Sequence, residues 1–308
     1  MGDGMRIGLV GIGKIARDQH LPALAVDAGF ELAATASRHG RVDGVEGYNS
    51  VGEMLAARPE IEAVSLCTPP EGRFEQALVV LRAGKHLMLE KPPAATVSEI
   101  EALAKMARAA GVTLFTTWHS REAAEVDAAR DWLADKRIEA VRIRWKENIR
   151  QWHPGQDWIL APGGFGVFDP GINALSIATR ILPEPLIVVS ARLDVPANRA
   201  CPVAASIALR TGEAPADAEF DFLQTGQQTW DIEVDTDCGA LRLRDGGSRL
   251  ELPGVAPMRG PNAEYPRLYR HFAGLVARGE SDVDLRPLQL VADAFLVAER
   301  VTVEPFEF

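Results

Sequence analysis

The sequence predicts an α/β fold, with a doubly wound parallel sheet followed by a second α+β domain built on a mostly antiparallel open sheet. Three observations predict it. Up to about residue 118, short apolar runs alternate with amphipathic helical stretches, the pattern of repeated βαβ units. Beyond about residue 135, strand candidates follow one another closely, as in an antiparallel sheet. The chain has 308 residues, 47% of them apolar, enough to bury two cores. The boundary falls at the change of pattern, giving domains 1–119 and 120–308.

The first domain begins with a strand at 6–10 that runs straight into Gly11, Ile12, Gly13, Lys14, Ile15 and Ala16, and then into a helical pattern from 14 to 28. Gly-x-Gly-x-x-Ala between strand and helix is the dinucleotide-binding turn of a Rossmann domain. Gly11 permits the tight turn, Gly13 lets the backbone approach a pyrophosphate, and Ala16 allows close helix–strand packing. The helix N-terminus offers N–H groups and a positive dipole end to phosphates. Further strands are expected at 31–36, 63–67, 86–89 and 113–117, with helices at 50–57, 72–83 and 97–110. Ligands in such sheets bind at the carboxyl ends of the strands. That places Ser37, Arg38, Thr68, Pro69, Pro70, Glu90, Lys91 and His119 beside a cofactor.

The second strand ends without the Asp or Glu that accepts from the ribose hydroxyls of NAD. Ser37 can donate to a 2′-phosphate, and Arg38 can pair with it. The expected cofactor is therefore NADP, with NAD also accepted.

The second domain starts with a helix at 121–135 and a long strand at 138–149. In a strand, Trp145, Glu147 and Ile149 share one face. A Gly/Pro-rich stretch at 154–166 leads to a helix at 170–182. Strands are expected at 186–195, 203–210, 217–223, 228–235, 239–244 and 248–252, and helices at 264–278 and 286–300.

Several function classes are disfavoured. The net charge is −10 with no basic block, so nucleic acid is not an expected partner. Cys67, Cys201 and Cys238 are far apart and show no metal-ligand spacing, so neither a disulfide framework nor a metal site is expected. No apolar run reaches membrane-spanning length and no signal pattern stands at the start, which points to a cytoplasmic protein.

Glu90, Lys91, Pro92 and Pro93 form a turn stiffened by two prolines at the fourth strand's end. Together with Gly-x-Gly-x-x-Ala and Thr68-Pro69-Pro70, this resembles the glucose–fructose oxidoreductase/inositol dehydrogenase (Gfo/Idh/MocA) family. Residues 163–173, Gly-Gly-Phe-Gly-Val-Phe-Asp-Pro-Gly-Ile-Asn, are similar to that family's Gly-Gly…Asp-x-Gly-x-His signature. Residues 11–22, 152–156 and 168–176 resemble its sugar 1-dehydrogenase branch. The resemblance implies NADP- or NAD-dependent oxidation, without a metal, of the anomeric carbon of a galacto-configured aldose to its lactone. L-arabinose, D-galactose and D-fucose are the implied substrates. It also implies a homodimer or homotetramer formed through the second-domain sheet, whose open face is expected to be apolar.

One departure matters. Asn173 stands where the signature has His, and an amide is no base near neutral pH. Lys91 and Asp169 are then the candidates to take the hydroxyl proton, as a coupled pair, with Asn173 fixing a sugar hydroxyl. Asp169 also reads as a helix N-cap ahead of Pro170. Glu147, Trp152, His153 and Trp230 are the remaining candidates for sugar contact, offering bidentate acceptors and flat apolar surface. His20 and His271 show no pattern beyond helical packing. Two other readings stay open: oxidation of a secondary ring hydroxyl, as in an inositol, and a nucleotide-binding sensor without turnover.

Overall fold

The computed structural model describes residues 4–26 and 29–308. Positions 27–28 of the expected first helix lie outside the described residues. Two compact units emerge, one running through His119 and including Glu264–Leu285, the other formed by Ser120–Ala263 with Arg286–Phe308.

In the first unit, β1 (Met5–Val10), α1 (Leu21–Ala25), β2 (Phe30–Ala36), β3 (Gly47–Tyr48), α2 (Val51–Ala57), β4 (Ala63–Leu66), α3 (Arg73–Arg82), β5 (His86–Leu89), α4 (Val97–Ala110) and β6 (Leu114–Thr116) follow the expected alternation. The strands form a six-stranded parallel sheet in the order β3-β2-β1-β4-β5-β6. Every residue of β4 is buried, as the near-continuous apolar run of a strand covered on both faces requires. The strand order reverses about β1, so the loops after β1 and β4 flank the switch point where such sheets take ligands. Thr96 and Glu99 close a reciprocal capping box on α4. Ahead of α1, Ala16–His20 make one π-helical turn, a local widening of the helix often found at functional sites.

The second unit contains α5 (Val126–Leu133), β7 (Ile138–Lys146), α6 (Ile149–Trp152), α7 (Phe168–Ile181), β8 (Leu186–Pro196), β9 (Ala204–Thr211), β10 (Ala214–Asp221), β11 (Thr229–Thr236), β12 (Gly239–Arg244), β13 (Arg249–Glu251) and β14 (Met258–Arg259). Then come α8 (Glu264–Arg278), α9 (Arg286–Val297) and β15 (Ala298–Val303). The nine-stranded sheet runs β14-β13-β12-β11-β7-β10-β9-β8-β15. Pairing is parallel at β7–β10 and β8–β15 and antiparallel elsewhere. The sheet is mixed, chiefly antiparallel.

Three sequence expectations are corrected. The helix expected to run to 300 stops at Val297, and Ala298–Val303 joins the sheet edge beside β8. The helix α8, expected in the second domain, packs in the first unit. Its stripe of Tyr265, Leu268, Tyr269, Phe272 and Leu275 lies against Ile7, Phe30 and Phe115, the spacing of a core-facing helix. The open face of the second sheet is not apolar. Arg142 pairs with Asp235 at 2.8 Å, Lys146 with Glu219 at 2.6 Å and Arg242 with Glu233 at 2.9 Å. Acidic β10 and β11 thus alternate with basic β7 and β12, the arrangement that stabilises cross-strand neighbours. Exposed apolar side chains include Ile187 and Val189 on the edge-side strand β8 and Leu296 and Val297 at the end of α9.

The opposite sheet face carries α7. Phe168 meets Phe220 with ring centroids 5.7 Å apart and Phe295 at 5.1 Å. The chain enters α7 through Gly166, whose φ is +55°. A Cβ there would overlap the carbonyl oxygen of Pro202, and that same oxygen accepts from Val167 N at 2.7 Å. Gly166→Ala is expected to destabilise the chain by about 2–3 kcal/mol, combining left-handed strain with a backbone clash. Urea unfolding measures it, and a loss below about 0.5 kcal/mol would contradict the close approach.

Candidate functional site

In the first unit the candidate residues gather at the carboxyl ends of β1, β4 and β5. Gly11 takes φ +88° and donates its N–H to Ala36 O at 2.8 Å. A Cβ on it would stand 2.8 Å from Thr68 N, so side chains are excluded on steric grounds. A Cβ on Gly13 would meet nothing within 4 Å. The open side of the turn therefore has room for a phosphate group. Ala16 is fully buried against Leu9 and Ile12. These features fit a dinucleotide, with residues 11–16 as the pyrophosphate cradle. Lys14 is exposed and pairs with Asp18.

At the end of β2, Ser37 Oγ accepts from Gly40 N at 3.1 Å, which leaves its O–H to donate. Arg38 is exposed. The sequence reading missed Arg41 and Arg17. Arg41 donates to Gly40 O at 2.8 Å, Asn49 Oδ1 at 2.7 Å and Ser37 O, and Arg17 donates to Arg41 O at 2.9 Å. No motif marks either residue, because their partners are carbonyl oxygens of the backbone and of Asn49, set by the path of the folded loop.

Thr68 donates to Gln76 Oε1 at 2.9 Å. Arg73, 2% exposed, donates to the carbonyls of Thr68, Glu90 and Pro92 and so ties the loop after β4 to the turn after β5. Pro69 is exposed and Pro70 buried. The Lys91–Pro92 peptide is cis, and Lys91 is partly exposed. His119 bonds Glu264 Oε2 through Nδ1 at 2.7 Å and stacks on Tyr265.

Glu90 follows β5 directly, at the carboxyl end of the sheet. Its carboxylate is buried and engaged by protein donors. Oε1 accepts from Tyr265 Oη at 2.7 Å and His20 Nε2 at 3.2 Å, and Oε2 accepts from Lys91 N at 2.7 Å. His20, which the sequence left without a role, also meets Tyr269 Oη at 2.8 Å through Nδ1. Burial alone would lower the His20 pKa. Interactions with Cys67, Tyr269 and Glu90 outweigh it and hold the imidazole well above its ordinary 6.5. Burial alone would raise Glu90. The bond to and charge of His20, helped by His119 and Tyr265, hold it below its ordinary 4.5. Burial and the Glu90 charge push the Tyr265 phenol up, so it remains a donor.

In the second unit five candidates converge. Regular β7 ends at Lys146, short of the expected 149. Its ladder continues irregularly, with Glu147 N donating to Asp221 O at 2.8 Å and Ile149 N to Phe222 O at 2.9 Å. Trp145, Glu147 and Ile149 all remain buried on one face. Asn148 then caps α6 by accepting from Arg150 N, which turns Trp152 and His153 back toward Glu147.

Glu147 is 6% exposed. Its Oε2 accepts from Trp230 Nε1 at 2.9 Å and its Oε1 from His153 Nε2 at 3.1 Å. Nδ1 of His153 lies 3.9 Å from Asp169 Oδ2. The His153 ring packs edge-on against Phe222. Trp152, 43% exposed, meets Trp230 edge-on at 5.6 Å and donates to Gln228 Oε1 at 2.9 Å. Gln228 carried no sequence signal. It also accepts from Asn148 N at 2.9 Å, and so anchors the Trp152 segment.

The capping alternative for Asp169 is corrected. The α7 N-cap is Val167, and Asp169 is the helix's second residue, buried. Along α7 every residue is buried except Asn173 and Arg180. Asn173 lies four positions after Asp169, on the same helix face, and is the partly exposed end of that pair.

Residues 5–118 match the profile of the oxidoreductase family with an NAD-binding Rossmann fold, Gfo/Idh/MocA. The chain is 46% identical to galactose 1-dehydrogenase from Pseudomonas fluorescens over 303 residues, 98% of each chain. It is 36% identical to 1,5-anhydro-D-fructose reductase from Ensifer adhaerens over 141 residues, 43% of this chain and 42% of that one. The crystal structure of D-galactose-1-dehydrogenase from Rhizobium etli superposes with a TM-score of 0.95 at 51% identity, covering 100% of this chain and 99% of the other. A 3-ketoreductase from Actinomadura kijaniata, solved with NADP and TDP-benzene, shares the fold at a TM-score of 0.85 and 23% identity, covering 98% and 100%.

The His20–Glu90 pair sets a pH signature, with Tyr265, Tyr269, Cys67, His119 and Glu264 as its titratable neighbours. The raised His20 contributes stability in full below pH 6.5 and loses it as pH rises through its folded value. The depressed Glu90 contributes in full above pH 4.5 and loses it as pH falls through its folded value. The stability difference between this chain and Glu90→Gln is thus expected to be greatest between pH 4.5 and 6.5 and to shrink above that window. Urea titrations across pH read it, and a flat difference from about pH 5 to about pH 9 would exclude the ion pair.

Proposed function

The chain belongs to the Gfo/Idh/MocA oxidoreductase family, and we propose that it is an NADP-preferring aldose 1-dehydrogenase acting on galacto-configured sugars. The observation that carries this reading is the full-length likeness to galactose 1-dehydrogenases. The Glu147–His153–Trp230 group supplies the polar and aromatic partners that a pyranose requires. In this reading the first unit binds the dinucleotide and the second binds the sugar.

When bound, the nicotinamide would accept hydride from the anomeric carbon. The residues of the chain do the rest. Glu147 already accepts from His153 and Trp230, yet a carboxylate has about four acceptor sites, so two sugar hydroxyls can still donate to it. Trp152 offers an exposed ring for the apolar sugar face. Asn173 bonds a further hydroxyl. Lys91 and Asp169 take the anomeric hydroxyl proton as a coupled pair while the C1–H and O–H bonds break and the lactone carbonyl forms. Binding of the remaining hydroxyls orients C1, the part of the barrier that positioning removes.

L-arabinose, D-galactose and D-fucose differ at C5, where one group is worth roughly 1–3 kcal/mol in an apolar pocket. All three are proposed substrates. The NADP preference rests on Ser37 and Arg38 standing where an NAD-type carboxylate would be. We also infer a cytoplasmic homodimer or homotetramer joined through the charged face of the second sheet. A two-fold axis between β7 and β11 would set basic β7 against acidic β11 and acidic β10 against basic β12, an isologous match.

Initial rates with these three sugars, D-xylose, D-glucose and myo-inositol test the reading. Turnover is expected with the galacto-configured sugars and not with inositol. Activity on inositol alone would move the reaction to a secondary ring carbon. Absence of turnover with NADP bound would indicate a sensor. Replacing Arg38 by Ala is expected to weaken NADP binding about tenfold and to leave NAD binding unchanged. Equal effects on both would remove Arg38 from the 2′-phosphate.

A further inference from the structure

We propose that Glu90 is a positioning residue for Lys91, and that His20 and Tyr265 aim its carboxylate. The inference rests on the reading of Lys91 as the residue at the reacting carbon. Glu90 follows the last residue of β5, where its own N–H donates to Leu66 O at 3.0 Å, so its backbone is fixed by the sheet. Its side chain turns back on the chain and takes the Lys91 N–H at 2.7 Å. Together with Arg73 on the Glu90 and Pro92 carbonyls, this holds the backbone on both sides of the Lys91 α-carbon.

A turn needs no buried charge to be held in place. Burying a carboxylate costs several kcal/mol unless donors surround it. Here Glu90 is 3% exposed, and His20 and Tyr265 are 0% and 3% exposed. The two oxygens have different partners, Lys91 N on one and His20 with Tyr265 on the other. All are donors. A glutamine amide can accept at only one end, so it would lose either the Lys91 contact or the His20–Tyr265 contact. The arrangement requires a two-ended acceptor.

His20 ends the π-helical turn that starts at Ala16, the last residue of the glycine turn. The widened turn carries His20 inward to Glu90. The dinucleotide-side helix and the Lys91 turn are therefore joined by one side chain. Tyr269, on the other nitrogen of His20, fixes the ring from α8. In this way the orientation of Lys91 is set by a network reaching the phosphate cradle.

The test uses the full chain with Glu90→Gln and Tyr265→Phe, and with Lys91→Met as reference. Glu90→Gln is expected to lower kcat at saturating sugar by on the order of 10²-fold, the effect of a small misplacement of a reacting group. Its Kd for NADP, from fluorescence titration, stays within about threefold. In the cofactor-free protein the Lys91 amide exchanges faster with deuterium. Tyr265→Phe keeps the ring, removes one donor and gives a smaller change of the same kind. If Glu90→Gln does not fold, kcat and amide exchange in Tyr265→Phe decide the matter. Unchanged kcat in Glu90→Gln beside an inactive Lys91→Met overturns the positioning role and leaves the reading of Lys91 standing. Full activity in Lys91→Met overturns that reading and this inference with it. Parallel losses of NADP affinity, kcat and Tm in both Glu90→Gln and Tyr265→Phe would make Glu90 structural alone and overturn the proposal.

Discussion

A carboxylate taken out of water must be ringed by donors, and the first unit is organised around one such group. Glu90 draws its donors from three stretches of chain: the turn after β5, the π-helical turn after β1, and α8. Remove the requirement to satisfy this charge and nothing obliges His20 to point inward. The same requirement accounts for α8 returning to the first unit. Its apolar stripe fills the core beside Phe30 and Phe115, and its tyrosines bring hydroxyls to Glu90 and His20. Packing and polar satisfaction there agree, which is what gives a buried network one stable arrangement.

The second unit repeats the principle around Glu147, with a different result. Its donors, Trp230 and His153, leave acceptor sites unfilled, and the group beside it includes a half-exposed tryptophan and a partly exposed Asn173. Glu90 is closed off by protein, whereas Glu147 is oriented by protein and still able to accept. That difference separates a group that holds a turn from one suited to bind hydroxyls. Gly166 and the Phe168–Phe220 contact set the height of α7 over the sheet, and thereby the place of Asp169.

The charge pattern of the open sheet face follows from its strand order. The strands β7 and β10 are parallel neighbours far apart in sequence, so the alternation of acidic and basic strands emerges only when the sheet assembles. Each pair is half-exposed and contributes little, roughly 0–1 kcal/mol. Collectively the pairs keep an uncovered face from being apolar.

The sequence by itself determined the α/β class, the glycine turn, the alternation of strands and helices in the first unit, and the candidates Trp152, His153 and Trp230 that gather around Glu147. These signals are local: a period of two or four, a glycine between strand and helix, or short polar-aromatic runs. Tertiary structure alone decided the rest. The partners of His20 lie 70 and 249 residues away, so no window around it shows a role. The amphipathic pattern of α8 states that one face is buried, but not in which core. Residues 298–300 carry too little pattern of their own to separate the end of a helix from the start of an edge strand, and pairing with β8 makes 298–303 a strand. The cap at Asp169 gave way because Gly166 and Pro202 start the helix earlier. In each case the deciding partner is distant in sequence, and the energy that fixes it is gained only on folding.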